Sequence, residues 1–184
     1  MELIDFDGQF TAFLRAWLED NSEKYQDIRE VEALMPELYE QFLHTPAAWL
    51  GGGLPCDYFS AFPGPQSLVE AMAEYLDAGI PVPELLLDSI GELGMKAEGP
   101  LYDLLQDETA GNEARMLCIH LLQQIGSRLP LQLYVSWQQT RGDEDELADR
   151  ALGSLEEMGE EAVPFMLDAL GEAADAGREA LLDV

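Results

Sequence analysis

Two histidines, His44 and His120, and two cysteines, Cys56 and Cys118, are the side chains here best suited to nucleophilic or metal chemistry. Neither histidine has another three or four residues away, the spacing that sets two imidazoles on one helical face. A histidine-based zinc site is therefore not expected. Cys118 and His120 stand two apart in an apolar helical stretch and project to different sides, which rules against a nucleophile–base dyad. Cys56 and Cys118 are too far apart for a metal motif and read as reduced core thiols, as expected in a cytoplasmic protein.

Two further runs invite a chemical reading. RGDEDELAD (141–149) gathers acids in a turn, but Gly142 precedes them instead of interrupting them as a calcium loop requires. Asp143 or Asp145 is better read as the N-cap of the following helix. LGGGLP (50–55) is glycine-rich, yet neither GKS/T nor the strand–turn–helix fingerprint accompanies it, so a phosphate loop is not expected. No G-x-S-x-G occurs, and carboxylates are too numerous for one pair to stand out as acid and base. The expectation is no catalytic residue, no metal and no cofactor.

The elements that would carry any site are helical. Asp and Glu number 37 against 9 Lys and Arg, a net charge of −28, while 47% of residues are hydrophobic. The chain can therefore bury a core and is not a disordered acidic tail. Such a field repels nucleic-acid phosphates and anionic membranes and favours basic partners or simple solubility. No apolar run is long enough to span a membrane, and the opening MELIDFDGQF lacks the pattern of a secretory leader. A periodicity of three to four dominates, and alternation is nearly absent, so the predicted fold is all-α.

Phe10, Phe13, Leu14, Trp17 and Leu18 form one stripe. Ile28, Val31, Leu34, Met35, Leu38, Tyr39, Phe42 and Leu43 form a second, which Pro36 should kink or split. Residues 44–65, with three consecutive glycines, four prolines and the aromatics Trp49, Tyr58, Phe59 and Phe62, read as a packed irregular segment. It divides an N-terminal helical cap, 1–65, from a regular array, 66–184, within one domain.

The array is punctuated by Gly94, Gly126 and Gly159, at intervals of 32 and 33 residues. Three apolar columns precede the glycines at −1, −4 and −7: Leu93, Ile125, Met158; Ile90, Leu122, Leu155; and Leu87, Ile119, Leu152. Leu86, Cys118 and Ala151 precede them at −8. Pro100, Pro130 and Pro164 follow. Glycine ends a helix in the left-handed conformation, proline suits the next first turn, and the four columns make one buried face.

A helix–turn–helix unit of this length marks an α-solenoid. ALGSLEEMGEEAVPFMLDAL (151–170) resembles the HEAT and HEAT-like repeat family. The resemblance covers roughly 66–184, is good in the last unit, and is weakest in the middle one. There Pro130 comes early and LQLYVSWQQT is more aromatic than usual. A globular bundle of similar helix pairs remains the alternative.

The resemblance implies an α–α superhelix and a non-enzymatic interaction scaffold, with one helix of each pair lining a concave face. The exposed columns there would be Glu84, Met116 and Asp149; Asp88, His120 and Gly153; and Glu92, Gln124 and Glu157. That face suits a basic or amphipathic protein or peptide, not nucleic acid or a membrane. A nucleic-acid-mimicking inhibitor of a basic DNA- or RNA-binding protein is the alternative function. A HEAT-like enzyme acting on DNA is disfavoured by the scarcity of bases.

Overall fold

The computed structural model describes residues 3–182 other than 23, 26, 27, 143 and 174. Its regular structure is all-α: α1 (Phe6–Asn21), α2 (Ile28–Ala33), α3 (Met35–Leu43), α4 (Pro65–Asp77), α5 (Glu84–Glu92), α6 (Glu98–Gln106), α7 (Asn112–Gln124), α8 (Leu131–Thr140), α9 (Glu146–Met158), α10 (Val163–Ala169) and α11 (Asp175–Leu182). The described residues contain no strand. No helix among them is long and apolar enough to cross a membrane. The chain forms two compact units, 1–89 and 90–184, so the segment 44–65 lies inside the first.

In the first unit, the Asp5 carboxylate caps α1 by accepting from the Gly8 amide at 2.8 Å. The predicted stripe is only half-buried, and Leu18 is exposed. The anchor of α1 is instead Phe6, 3% exposed, whose ring meets Trp49, Tyr58 and Phe59. The second stripe is split, as Pro36 predicts. It falls in the first turn of α3, where its missing donor costs nothing. The side chain of Ile28 lies outside the described residues.

Helix α4 ends in a Schellman turn. Gly79, at φ 65°, donates to the Leu76 carbonyl and Ile80 to that of Tyr75. The Tyr75 side chain is fully buried, and its hydroxyl donates to the Ile4 carbonyl and accepts from the Ile4 amide (3.0 and 3.2 Å). This ties the chain's first described residues to α4.

In the second unit, α7 packs on α6 and α9, and α8 packs on α9, α10 and α11. Polar contacts link residues 29 to 33 apart: Ser127 with Glu98, His120 with Arg150, Gln123 with Ser154, and Arg128 with Glu161. That span brackets the sequence interval. The −4 column (Ile90, Leu122, Leu155) and the −8 column (Cys118 and Ala151, with Leu86 of the first unit) are all at 0% exposure. The −1 and −7 columns are half-buried except Met158 and Ile119, which are buried.

Gly94, Gly126 and Gly159 all have positive φ, at 55°, 72° and 60°. Their exits differ, however. Gly94 and Gly159 each open a short 3-10 turn, after which Pro100 and Pro164 fall in the first turns of α6 and α10. Gly126 closes a Schellman turn, with amide bonds from Gly126 to Gln123 and from Ser127 to Leu122, and Pro130 stands at the N-cap of α8. The early proline thus coincides with a different connection. Asp145 caps α9 through the Ala148 amide (3.0 Å), as expected, while Asp143 lies outside the described residues. Gly177 has a different role: a β-carbon there would overlap the Gln138 carbonyl oxygen, so α11 can cross α8 only with glycine at that position.

Replacing Gly126 by alanine should lower stability by about 1–2 kcal/mol, because a β-carbon is strained at positive φ. Gly153→Ala, mid-helix in α9 with open space around an added β-carbon, should raise it by up to about 1 kcal/mol. Urea unfolding of the two variants checks the opposite signs. Equal effects would contradict the turn assignment.

Candidate functional site

The nine column residues selected from sequence fall on α5, α7 and α9, and none is buried. Glu84, Asp88, Glu92, His120, Gln124, Asp149 and Glu157 are exposed, and Met116 and Gly153 are half-buried. They are not uniformly acidic in effect. The Asp149 carboxylate pairs with the Arg141 guanidinium, which is itself held by the Oε1 atom of buried Gln138. His120 Nδ1 accepts from Arg150 at 3.1 Å, which puts a cation in the middle of the α7–α9 seam. Gln124 approaches the helix end at Gly91, where an added β-carbon would come within 3.2 Å of its amide nitrogen.

Several other bases serve structure too. Arg115 lies over the Trp137 ring and donates to the Leu105 carbonyl, and Arg128 pairs with Glu161 at 2.8 Å. Guanidiniums spent inside the second unit are not arrayed for phosphates.

In the first unit, Glu84 and Asp88 share an electrostatic influence on Tyr39 with carboxylates that sequence reasoning did not select. Burial, then the charges of Glu84, Asp7, Asp88 and Glu40, hold the Tyr39 phenol above its ordinary range. Acids of three helices, α1, α3 and α5, therefore act electrostatically on one half-buried tyrosine. Tyr39 is fixed edge-on to Phe10 at 5.0 Å. Residues 7, 40, 84 and 88 share no sequence spacing that could have announced this.

A second juxtaposition was also invisible in sequence. Cys56 Sγ lies 3.5 Å from His44 Nδ1, and His44 Nε2 lies 3.6 Å from Glu40 Oε2. The order thiol–imidazole–carboxylate is that of an activated nucleophile. The electrostatics run the other way. Desolvation first, then the adjacent Asp57 carboxylate at 3.8 Å, pushes the Cys56 thiol up, whereas an activated cysteine needs its thiolate favoured. His44 and Glu40 are also 64% and 69% exposed, so neither is held in place by packing. Cys118 is inert for a simpler reason: burial lifts its thiol to about 12. No cluster of three or more metal-ligating side chains occurs among the described residues.

The third feature is a shallow, open depression. Residues 44–64 fold as three successive 3-10 turns, 48–50, 55–57 and 59–61. Gly51 and Gly52, at φ 62° and 92°, let the chain reverse so that Ala47 and Gly53 bridge. Phe59, 1% exposed, stacks on Phe6 and anchors the turns. The outer side of this segment is a cleft of about 470 Å³ lined by Leu50, Gly53, Leu54, Asp57, Tyr58, Ala61, Phe62 and Pro63. Asp57 is the one charged residue among them.

Comparison with protein-family models, with curated proteins and with solved structures finds no match to this chain.

Cys56 should alkylate slowly at neutral pH, because a raised thiol pKa keeps the proton on. The rate should climb only as pH rises above the ordinary thiol range. Asp57→Asn removes one cause of the elevation and should move that profile to lower pH. Iodoacetamide labelling of the native protein across pH, read by mass spectrometry, checks this. Fast labelling at pH 7 would reverse the assignment and point to an activated cysteine.

Proposed function

We propose that this protein is a non-enzymatic interaction module whose acidic helical surface receives a basic or amphipathic protein or peptide. The observation that carries the reading is the exposure of Glu84 and Asp88 one turn apart on α5, whose charges, with those of Asp7 and Glu40, act on the Tyr39 phenol. Like charges resist being brought together, and at i, i+4 Glu84 and Asp88 already repel along their own helix. A cationic side chain arriving over the cluster would relieve that repulsion, and the net charge of −28 would steer it there. The half-buried tyrosine offers the same cation an aromatic ring.

The HEAT-like reading of the C-terminal array is part of the same proposal. It is supported by the two fully buried columns, the three positive-φ glycines and the contacts between residues about one unit apart. Stacked repeats place equivalent positions side by side, which is how such arrays build continuous binding faces. In that array Glu92 and Glu157 remain exposed acids, whereas Asp149 and His120 are tied to arginines. Among the column acids, Glu84 and Asp88 therefore carry the proposal more than Asp149 does.

The double variant Glu84→Gln, Asp88→Gln should bind a lysine-rich peptide more weakly than wild type and with a flatter salt dependence. Its stability should stay within about 0.5 kcal/mol of wild type. The Tyr39 phenol should titrate at lower pH, since anions raise it, yet stay above its ordinary range because burial is the larger cause. Isothermal titration at several salt concentrations, with NMR detection of Tyr39, makes both measurements. Unchanged affinity at low salt would defeat the proposal.

A further inference from the structure

We propose that the cleft along residues 50–63 is a preformed docking site for a cationic amphipathic peptide segment. The segment would seat one large apolar side chain between Leu50, Leu54, Tyr58 and Phe62 and set a Lys or Arg against Asp57. This surface is distinct from the Tyr39 cluster and can fail independently of it.

The cleft is built rather than incidental. Its four largest apolar side chains, Leu50, Leu54, Tyr58 and Phe62, are each half-buried, neither committed to the core nor dispersed in solvent. Their backbone is held by a continuous set of amide bonds: Leu50 to Ala47, Gly52 to Ala47, Ala47 to Gly53, Tyr58 to Pro55 and Phe62 to Phe59, at 2.9–3.2 Å. Rings reinforce the floor, with Tyr58 and Phe62 both packed on buried Phe59 at 5.0 and 5.5 Å. A wall already ordered costs a partner little entropy, and that is what converts an apolar surface into affinity.

Charge selects the occupant. Asp57 sits in the lining with its side chain exposed, and the chain around it carries a net −28. A second copy, a nucleic acid or an anionic lipid surface would each bring like charge to that carboxylate. A cation beside an apolar side chain satisfies both features at once, which is the pattern of an amphipathic helix laid in a groove. The cleft volume falls in the range that accepts a small apolar molecule as well. Such a molecule would leave Asp57 without a role, and the test separates the two.

The test uses the full-length protein and three short synthetic helical peptides: one of Leu, Trp and Lys, one with Ser replacing Leu and Trp, and one with Gln replacing Lys. Fluorescence anisotropy reads binding. The Leu/Trp/Lys peptide should bind at least about ten-fold more tightly than either counterpart. Ala61→Trp, a change at an exposed residue on the cleft edge, should fill the cleft and weaken that peptide about ten-fold. Asp57→Asn should weaken it several-fold and flatten its salt dependence, and Glu84→Gln with Asp88→Gln should matter less than either. Thermal unfolding confirms that each variant is folded, and the peptide comparison decides the matter even if a variant is not.

Equal binding by the Ser peptide overturns the proposal in favour of general charge attraction. Equal binding by the Gln peptide, with Asp57→Asn silent, overturns it in favour of a purely apolar ligand. A wild-type dimer that Ala61→Trp returns to monomer overturns it in favour of a second copy.

Discussion

The burial of Phe6 is the constraint on which the first unit's surface depends. One ring, 3% exposed, contacts Trp49, Tyr58 and Phe59 at 5.6 Å each. It therefore joins the first turn of α1 to two of the three 3-10 turns that follow α3. Aromatic pairs of this kind contribute about 0.5–1.5 kcal/mol each beyond their buried area. The Tyr75–Ile4 hydrogen bonds fix the chain just upstream, so Phe6 cannot drift. Once it is placed, Phe59 is covered, and Leu54, Tyr58 and Phe62 stay half-buried in the cleft lining with Asp57. The same first turn carries Asp7 toward Tyr39.

The second unit rests on a different economy. Its core is supplied by aliphatic columns at helical spacing, and its scarce bases are used to fasten elements together. Arg128 bridges to Glu161 beyond the next glycine turn, Arg141 links Gln138 to Asp149, and Arg150 reaches His120 across the α7–α9 seam. The Arg128 and Arg141 pairings each engage one carboxylate, and with many more acids than bases others are left in excess. The acidity of the surface therefore survives after the internal pairing is complete. Acids left over in this way act through their sum more than through any one position.

What could be read from sequence was local. The helices from Pro65 onward, the split at Pro36, the cap at Asp145 and the positive φ at Gly94, Gly126 and Gly159 all follow from residues within a turn or two of one another. The −4 and −8 columns were legible because helical periodicity specifies burial. The rest required the tertiary fold. Cys56 meets His44 across twelve residues of turns, and no propensity predicts that approach. The acids around Tyr39 come from three helices. Gly177 looks like an ordinary helical glycine until α8 is seen against it. Phe6 gives no signal in the sequence because its partners lie in an irregular segment, where no period exists to count. The predicted exposed columns were found not to be buried, yet sequence could not show that Asp149 and His120 are engaged by arginines.

A docking cleft needs residues 47–62 to be a rigid wall and not a flexible glycine-rich connection. Amide hydrogen exchange by NMR measures this directly at Ala47, Leu50, Gly52, Gly53, Asp57, Tyr58 and Phe62, whose N–H groups bond to backbone carbonyls. The structure predicts slow exchange at these sites, with protection approaching that of α4. Exchange at the rate of an unstructured chain, with α4 still protected, would contradict it.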